Sequence, residues 1–156
     1  MNYQQYLELK RRCEIKIKIF TFGMYIASML AFVQTALLVL KVDFTWPYSN
    51  LIILDQLYSL GYQRSAEGNV IFALFFYGAF ALIAIALIAS SFLCSNSKRS
   101  FYYLIILIYS ADSVLCLATA MYFNLIVHVV VIILLALAVR NIKTLSYLKN
   151  NLWGYE

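Results

Sequence analysis

The sequence predicts an all-α integral membrane protein, a four-helix transmembrane bundle with a short interfacial helix in its first, outer loop. Three observations lead to this prediction. Of the 156 residues, 64% are hydrophobic and only 12% are charged, with a mean hydropathy of +0.82. Soluble domains are about half apolar and about a quarter charged, so this chain has too little polar surface for a water-soluble globule. The apolar residues form long runs, and basic residues bracket those runs. The length suggests a single domain.

Four spans follow from the apolar runs, each of about the length that crosses a hydrocarbon core of about 30 Å. The predicted spans are residues 19–40, 70–93, 101–121 and 124–140, with an outer loop at 41–69 and cytoplasmic tails at 1–18 and 141–156. The charged segment before the first span is predicted to be helical and to run directly into it. Glu8 and Arg12 form an i,i+4 pair there in the favoured acid-first order.

The outer loop is predicted to contain a short helix from about Leu51 to Leu60. Ser49 or Asn50 can cap its beginning, and Gly61 is placed to end it. Apolar residues cover much of its surface, so this helix should lie at the membrane interface or cover the outer end of the bundle.

The stretch 101–139 can be divided into membrane segments in two ways, because it is nearly twice as long as one crossing needs. We divide it near residues 122–124, where a tight turn could sit. The alternative is one crossing plus a re-entrant segment. Two crossings are favoured because a single one would place Arg140 and Lys143 outside.

The distribution of charge predicts the orientation. With the N-terminus inside, ten of the 12 Lys and Arg residues are cytoplasmic, and only Lys41 and Arg64 lie in the outer loop. This bias follows the positive-inside rule and places both termini in the cytoplasm, with the protein in a plasma or inner membrane. The predicted partners are the lipid bilayer and either further copies of the chain or another membrane protein. No nucleic-acid surface is predicted, since the basic residues flank apolar spans.

Small residues recur along one face of the first span. Gly23, Ala27, Ala31 and Thr35 are spaced four apart, and this spacing lets two helix backbones approach closely in lipid. Two interpretations remain open for this seam. It packs against the other helices of the same chain, or it joins copies of the chain into an oligomer.

Asp112 is the candidate functional residue, because it lies near the middle of the third predicted span. A central Asp costs about 2.5–3.5 kcal/mol on insertion scales, so it should face protein or water rather than lipid. Tyr109 and Thr119 share its helical face. The carboxyl either binds a proton, a cation or a polar solute, or it ties helices together through hydrogen bonds.

His128, the only histidine, lies in the fourth span. With a turn near residue 123 it would be offset from Asp112 by about 9 Å, whereas a turn near Thr119 or Ala120 would align the two. A lone histidine is more often a hydrogen-bonded core residue than a ligand, so no metal site is predicted.

No catalytic constellation is present in the sequence, and no catalytic residue or cofactor is predicted. The chain lacks a phosphate-binding loop, a nucleophile elbow and an H-E-x-x-H motif. Its three cysteines include no C-x-x-C pair. The four-span plan superficially resembles the membrane-associated eicosanoid and glutathione enzymes, but Gln63 stands before Arg64 where their signature has Glu, so that activity is not inferred.

Two functions from different classes are compatible with these features. The first is a non-catalytic helix-bundle subunit or regulator that acts through homo- or hetero-oligomeric contacts in the membrane. The alternative is a small oligomeric channel or transporter that uses Asp112, with His128 as a second candidate, as an intramembrane site for a proton, a cation or a polar solute.

Overall fold

A computed structural model of the chain describes residues 3–40, 51–94 and 99–151. All regular structure in these ranges is α-helical. The helices are α1 (Tyr3–Val39), α2 (Ile52–Ala66), α3 (Val70–Cys94), α4 (Arg99–Ala118) and α5 (Tyr122–Asn151). Within the stretch 101–139, α4 and α5 are separate helices.

Three of these helices, α3, α4 and α5, are long and apolar enough to cross a membrane. Most of the surface of these helices is not covered by the rest of the protein. In the most apolar window of α3, for example, only 22% of the residues are buried. Ile71 and Phe75, for example, are 81% and 68% exposed. Apolar side chains exposed on this scale are suited to lipid rather than water. The chain therefore has the composition and the surface of a membrane protein.

The core runs through the centre of the bundle and draws on all five helices. Among its most deeply buried side chains are Leu54, Leu87, Tyr102, Ile105, Leu135 and Ala138. Tyr102 of α4 is fully buried, and its hydroxyl lies 2.7 Å from the hydroxyl of Thr21 on α1. This contact ties α1 to the bundle through a polar pair that lipid could not satisfy.

The helix α1 continues well beyond its apolar half. At 37 residues it is about 55 Å long. Its charged first half packs against the last turns of α5, so that Tyr6, Cys13 and Ile17 are buried there. Glu8 and Arg12 form the predicted ion pair on the exposed side. The beginning of α1 and the end of α5 therefore lie at the same end of the bundle.

The helix α2 lies lengthwise against α3 and not across the end of the bundle. Gly61 meets the ring of Tyr77, and Tyr58 contacts both Tyr77 and Phe80. As the residue numbers in α2 increase, those of the contacted residues in α3 decrease, so the two helices are antiparallel. The beginning of α2 lies in the core, where Leu51 and Leu54 are 2% and 0% exposed. This end of α2 is therefore inside the protein and not at the membrane interface, where the helix was predicted to lie.

The ends predicted for α2 differ from those observed. Gly61 does not stop the helix, which continues to Ala66. The stop is at Gly68, whose positive φ of 77° closes a Schellman turn in which its N–H donates to Ser65 and that of Asn69 donates to Arg64. The prediction had the correct motif at the wrong glycine. Ser49 and Asn50, the predicted caps, lie outside the described residues.

The turn between α4 and α5 lies at residues 119–121, slightly earlier than the predicted position at 122–124. It is also a Schellman turn: the N–H of Ala120 donates to Leu117 and that of Met121 donates to Cys116. The residue with positive φ is Ala120, at 56°. Glycine or asparagine usually occupies this position, so an alanine there carries no residue-type signal for the turn.

Replacing Ala120 with Gly should stabilise the protein. An L-residue in the left-handed region costs about 1–2 kcal/mol, whereas the added freedom of glycine in the unfolded chain costs about 0.5–1 kcal/mol. The net expectation is a gain of about 0.5 kcal/mol in the free energy of unfolding, measured by denaturation in mixed micelles. Gly68→Ala is the reciprocal control and should lose stability. A loss of stability in Ala120→Gly would contradict this assignment of the turn.

Candidate functional site: a buried carboxylate that joins three helices

The site is centred on the carboxylate of Asp112, which is 0% exposed. Asp112 lies on α4, about 9 Å before its end at Ala118. Side chains or backbone groups from α2, α4 and α5 surround the carboxylate. A buried carboxylate is stable only if its oxygens are hydrogen-bonded or its charge is neutralised, so these partners decide what the residue does.

The first oxygen of this carboxylate binds the beginning of α2. The backbone N–H of Ile53 donates to Asp112 Oδ1 at 2.7 Å, and the backbone of Ile52 forms a further hydrogen bond with the carboxylate. These N–H groups are among the four at the beginning of a helix that have no partner within the helix. The helix has no side-chain cap from its own N-cap residue, Leu51. Asp112 therefore acts as a cap from another helix, and its negative charge meets the positive end of the helix dipole.

Gln34 of α1 completes this cap. Its Oε1 accepts the N–H of Leu51 at 3.2 Å, and its Nε2 donates to Oδ1 of Asp55 at 3.0 Å. Gln34 is buried in the apolar half of α1, where an unsatisfied amide would be costly. The beginning of α2 is thus held from two sides, by Asp112 of α4 and by Gln34 of α1.

The second oxygen of the carboxylate faces His128 and Cys116. His128 Nε2 lies 3.3 Å from Asp112 Oδ2, and the Sγ of Cys116 lies 3.9 Å from the same oxygen. The other nitrogen of the imidazole, Nδ1, lies 3.3 Å from the Cys116 sulfur. The Tyr109 ring packs on the imidazole, with 5.2 Å between ring centroids. All four side chains are buried, with at most 7% of any of them exposed.

The position of the turn explains this arrangement. With Ala120 at the turn, Asp112 and His128 lie at equal distances along α4 and α5 and are brought level. The cluster thus brings together three of the four residues predicted for the site: Asp112, His128 and Tyr109. Thr119 is not part of it, because its exposed hydroxyl donates to the backbone oxygen of Leu115 at 2.8 Å.

Sequence reasoning missed several members of the site. Cys116 lies four residues after Asp112, one turn along the same helical face, and this spacing is the signal that could have placed it in the site. Gln34 is a polar side chain within the apolar run 19–40, which is the signal that it needs a partner inside the protein. The N–H groups of Ile52 and Ile53 could not be found from the sequence, because nothing in it indicates that α2 begins inside the bundle.

The seam on α1 is only partly described. No described atom lies within 4 Å of the position that a Cβ on Gly23 would occupy, so none of the described residues packs against it there. Thr35 is half-buried, and the side chains of Ala27 and Ala31 lie outside the described part of the structure. At Gly23, the internal-packing interpretation of the seam therefore has no support.

Across the described residues, no buried side-chain nitrogen or oxygen lacks a hydrogen-bond partner. This holds for Asp112, whose contacts extend to α2, α5 and its own helix. Comparisons with protein-family models, with curated proteins and with solved structures find no match to the chain, so the geometry of the site is what bears on its function.

Proposed function

We propose that this protein is a non-catalytic four-span helix bundle that acts through contacts with other chains in the membrane. The observation that carries the proposal is the enclosure of Asp112. Its carboxylate is fully buried and is engaged by the backbone of α2, by Cys116 and by His128. A group whose oxygens are taken up by such contacts is suited to holding helices together, and a transport site would instead need access for its solute.

The four-span topology includes α1 as a crossing. Residues 19–40 form an apolar run, and α1 is continuous through residue 39. The Tyr102 and Gln34 contacts attach this half of α1 to the bundle. Two observations support placing both termini in the cytoplasm: ten basic residues would lie on that side, and the beginning of α1 packs against the end of α5.

The contact surface that we assign to partner binding is the face of α1 around Gly23. Phe22 and Ile26 next to it are 65% and 49% exposed, and Gly23 has free space above its backbone. A glycine on an apolar face allows a second helix to approach closely in lipid. The first partner to test is a second copy of the chain.

Gly23→Leu should abolish self-association and leave the bundle intact, because a Cβ at this position has no described atom of the chain within 4 Å. The measurement is crosslinking in native membranes, combined with denaturation of the purified protein to check its stability. Gly78→Leu on α3 is the matched control, since Gly78 also has nothing within 4 Å of a Cβ. Wild-type protein that remains monomeric in its own membrane would refute the homo-oligomer.

The alternative function, a small channel or transporter, has one observation in its favour. Asp112 and His128 are 3.3 Å apart in the bundle, a distance that permits proton exchange between them. Ion or proton flux into proteoliposomes that is present with the wild-type protein and lost in Asp112→Asn would favour transport over the bundle function. Flux that survives this substitution would exclude a coupling role for Asp112.

A further inference from the structure

We propose that Asp112, Cys116 and His128 bind a single transition-metal ion of the Zn²⁺ class. The three side chains offer one oxygen, one sulfur and one nitrogen donor, and these donor atoms lie within 4.8 Å of one another. This set was not expected, because a sequence with one histidine has no recognisable metal motif. The proposal is independent of the bundle function and of the oligomeric state.

The distances between the donors are close to those of a metal site. Zn²⁺ binds oxygen, nitrogen and sulfur at about 2.0–2.3 Å, so two ligand atoms in a tetrahedral site are about 3.3–3.8 Å apart. The Cys116 sulfur lies 3.3 Å from His128 Nδ1 and 3.9 Å from Asp112 Oδ2, and the imidazole nitrogen nearer that oxygen, at 3.3 Å, is Nε2. Because one imidazole gives one nitrogen to an ion, binding requires the imidazole to reorient so that a single nitrogen faces both other donors.

The combination of donors selects the class of metal. A thiolate and an imidazole favour zinc and neighbouring transition metals, whereas Mg²⁺ and Ca²⁺ require oxygen ligands. The charges also match, since one thiolate and one carboxylate neutralise a divalent cation. A neutral complex suits a site that is at most 3% exposed.

The surroundings of the ligands are those of a supported metal site. Ligating carboxylates are usually oriented by hydrogen bonds from an outer shell. The N–H of Ile53 provides this support on Oδ1, which leaves Oδ2 on the side of Cys116 and His128. Cys116 is also in the last turn of α4, next to the exposed turn at residues 119–121.

The test is metal binding by the full-length protein, purified in detergent with an affinity tag that contains no histidine. Elemental analysis should find about one zinc per chain, and chelator treatment followed by Co²⁺ should restore binding. Coordination of Co²⁺ by Cys116 should give a thiolate-to-cobalt charge-transfer band and the visible absorption of a tetrahedral complex. Mg²⁺ at the same concentration should not compete.

Cys116→Ala should remove the charge-transfer band and weaken binding by more than 100-fold, beyond the 10–100-fold typical of losing an outer-shell group. Cys13→Ala is the matched control, because Cys13 is also a buried free thiol but lies in the charged half of α1. If Cys116→Ala does not fold, a rise in the melting temperature of the metal-free wild type on adding Zn²⁺ supports the site. Failure of folded wild-type protein to bind Zn²⁺ or Co²⁺, or an unchanged spectrum in folded Cys116→Ala, would overturn the proposal and leave a hydrogen-bonded trio.

Discussion

Replacing Asp112 with Leu is expected to lower the free energy of unfolding by about 2–4 kcal/mol. The substitution leaves the N–H groups of Ile52 and Ile53 without an acceptor inside the core, and each unsatisfied buried donor costs about 1–3 kcal/mol. It also removes the partner of His128. Denaturation in mixed micelles measures the loss, and hydrogen exchange at the first amides of α2 shows where it arises.

The Asp112→Asn variant separates the hydrogen bond from the charge. Its side-chain oxygen can still accept the N–H of Ile53, so the loss should be smaller, about 1–2 kcal/mol. Ser113→Ala is the neighbouring control and should be within about 0.5 kcal/mol of the wild type, since the Ser113 hydroxyl donates only to the backbone oxygen of Tyr109 in its own helix.

The stability of Asp112→Leu bears on both candidate functions. Double-mutant cycles in a membrane protein give a mean of only about 0.6 kcal/mol for an interhelical hydrogen bond, so a loss well above that value indicates unsatisfied backbone donors rather than one missing contact. If Asp112→Leu is as stable as the wild type, the carboxylate is not the cap of α2. A buried carboxylate that does not stabilise the fold would be explained better by a function, and this result would support the transport alternative.

Replacing Gly61 with Val is expected to separate α2 from α3. A Cβ at this position would lie 2.8 Å from Cε1 of Tyr77 and 2.9 Å from Cδ1, closer than carbon atoms pack. Gly61 is buried, and the Tyr77 ring is itself in contact with Tyr58, with 5.8 Å between ring centroids. Overpacking of this kind costs about 1–3 kcal/mol, and the branched side chain of valine places it in the upper part of that range.

The matched control is Gly78→Val, which changes the residue next to Tyr77, at a position where a Cβ has no described atom within 4 Å. It should have little effect on stability, because replacing a helical glycine adds propensity without a clash. Faster hydrogen exchange throughout α2 in Gly61→Val, with α4 and α5 unaffected, would locate the damage. Equal stabilities of the two variants would show that α2 does not lie against α3 at this depth.

The helices themselves were largely predictable, and the reason is local. Long apolar runs bounded by charges require helices in lipid, because backbone groups there must be satisfied within the segment. The runs that begin at Val70 and at Phe101 therefore led to α3, α4 and α5. The errors were at the turns. Gly61 was taken as the stop of α2, and the turn before α5 was placed at 122–124, although a turn near Thr119 or Ala120 was the alternative that would align Asp112 with His128.

The candidate site was predictable only in part. A carboxyl at position 112 is costly in lipid wherever its partners come from, so the sequence alone identified Asp112 as the residue to explain. Tyr109 was found with it because it shares its helical face, and His128 because it is the only histidine and lies in the neighbouring predicted span. Their meeting with Asp112 depended on a turn that had to be placed to within a few residues, and sequence reasoning cannot place it that closely.

By itself, the sequence determined that the protein is helical, that it has the composition of a membrane protein and that Asp112 needs a partner in the core. Each of these follows from the transfer of side chains and backbone out of water, which depends on residue type and on neighbours along the chain. Only the tertiary structure decided which groups meet the carboxylate. The N–H groups at the beginning of α2 reach the carboxylate because α2 packs antiparallel to α3. Cys116 and His128 meet at it because Ala120, in the left-handed conformation, sets the register of α4 against α5. Both depend on packing between helices, which local sequence does not encode.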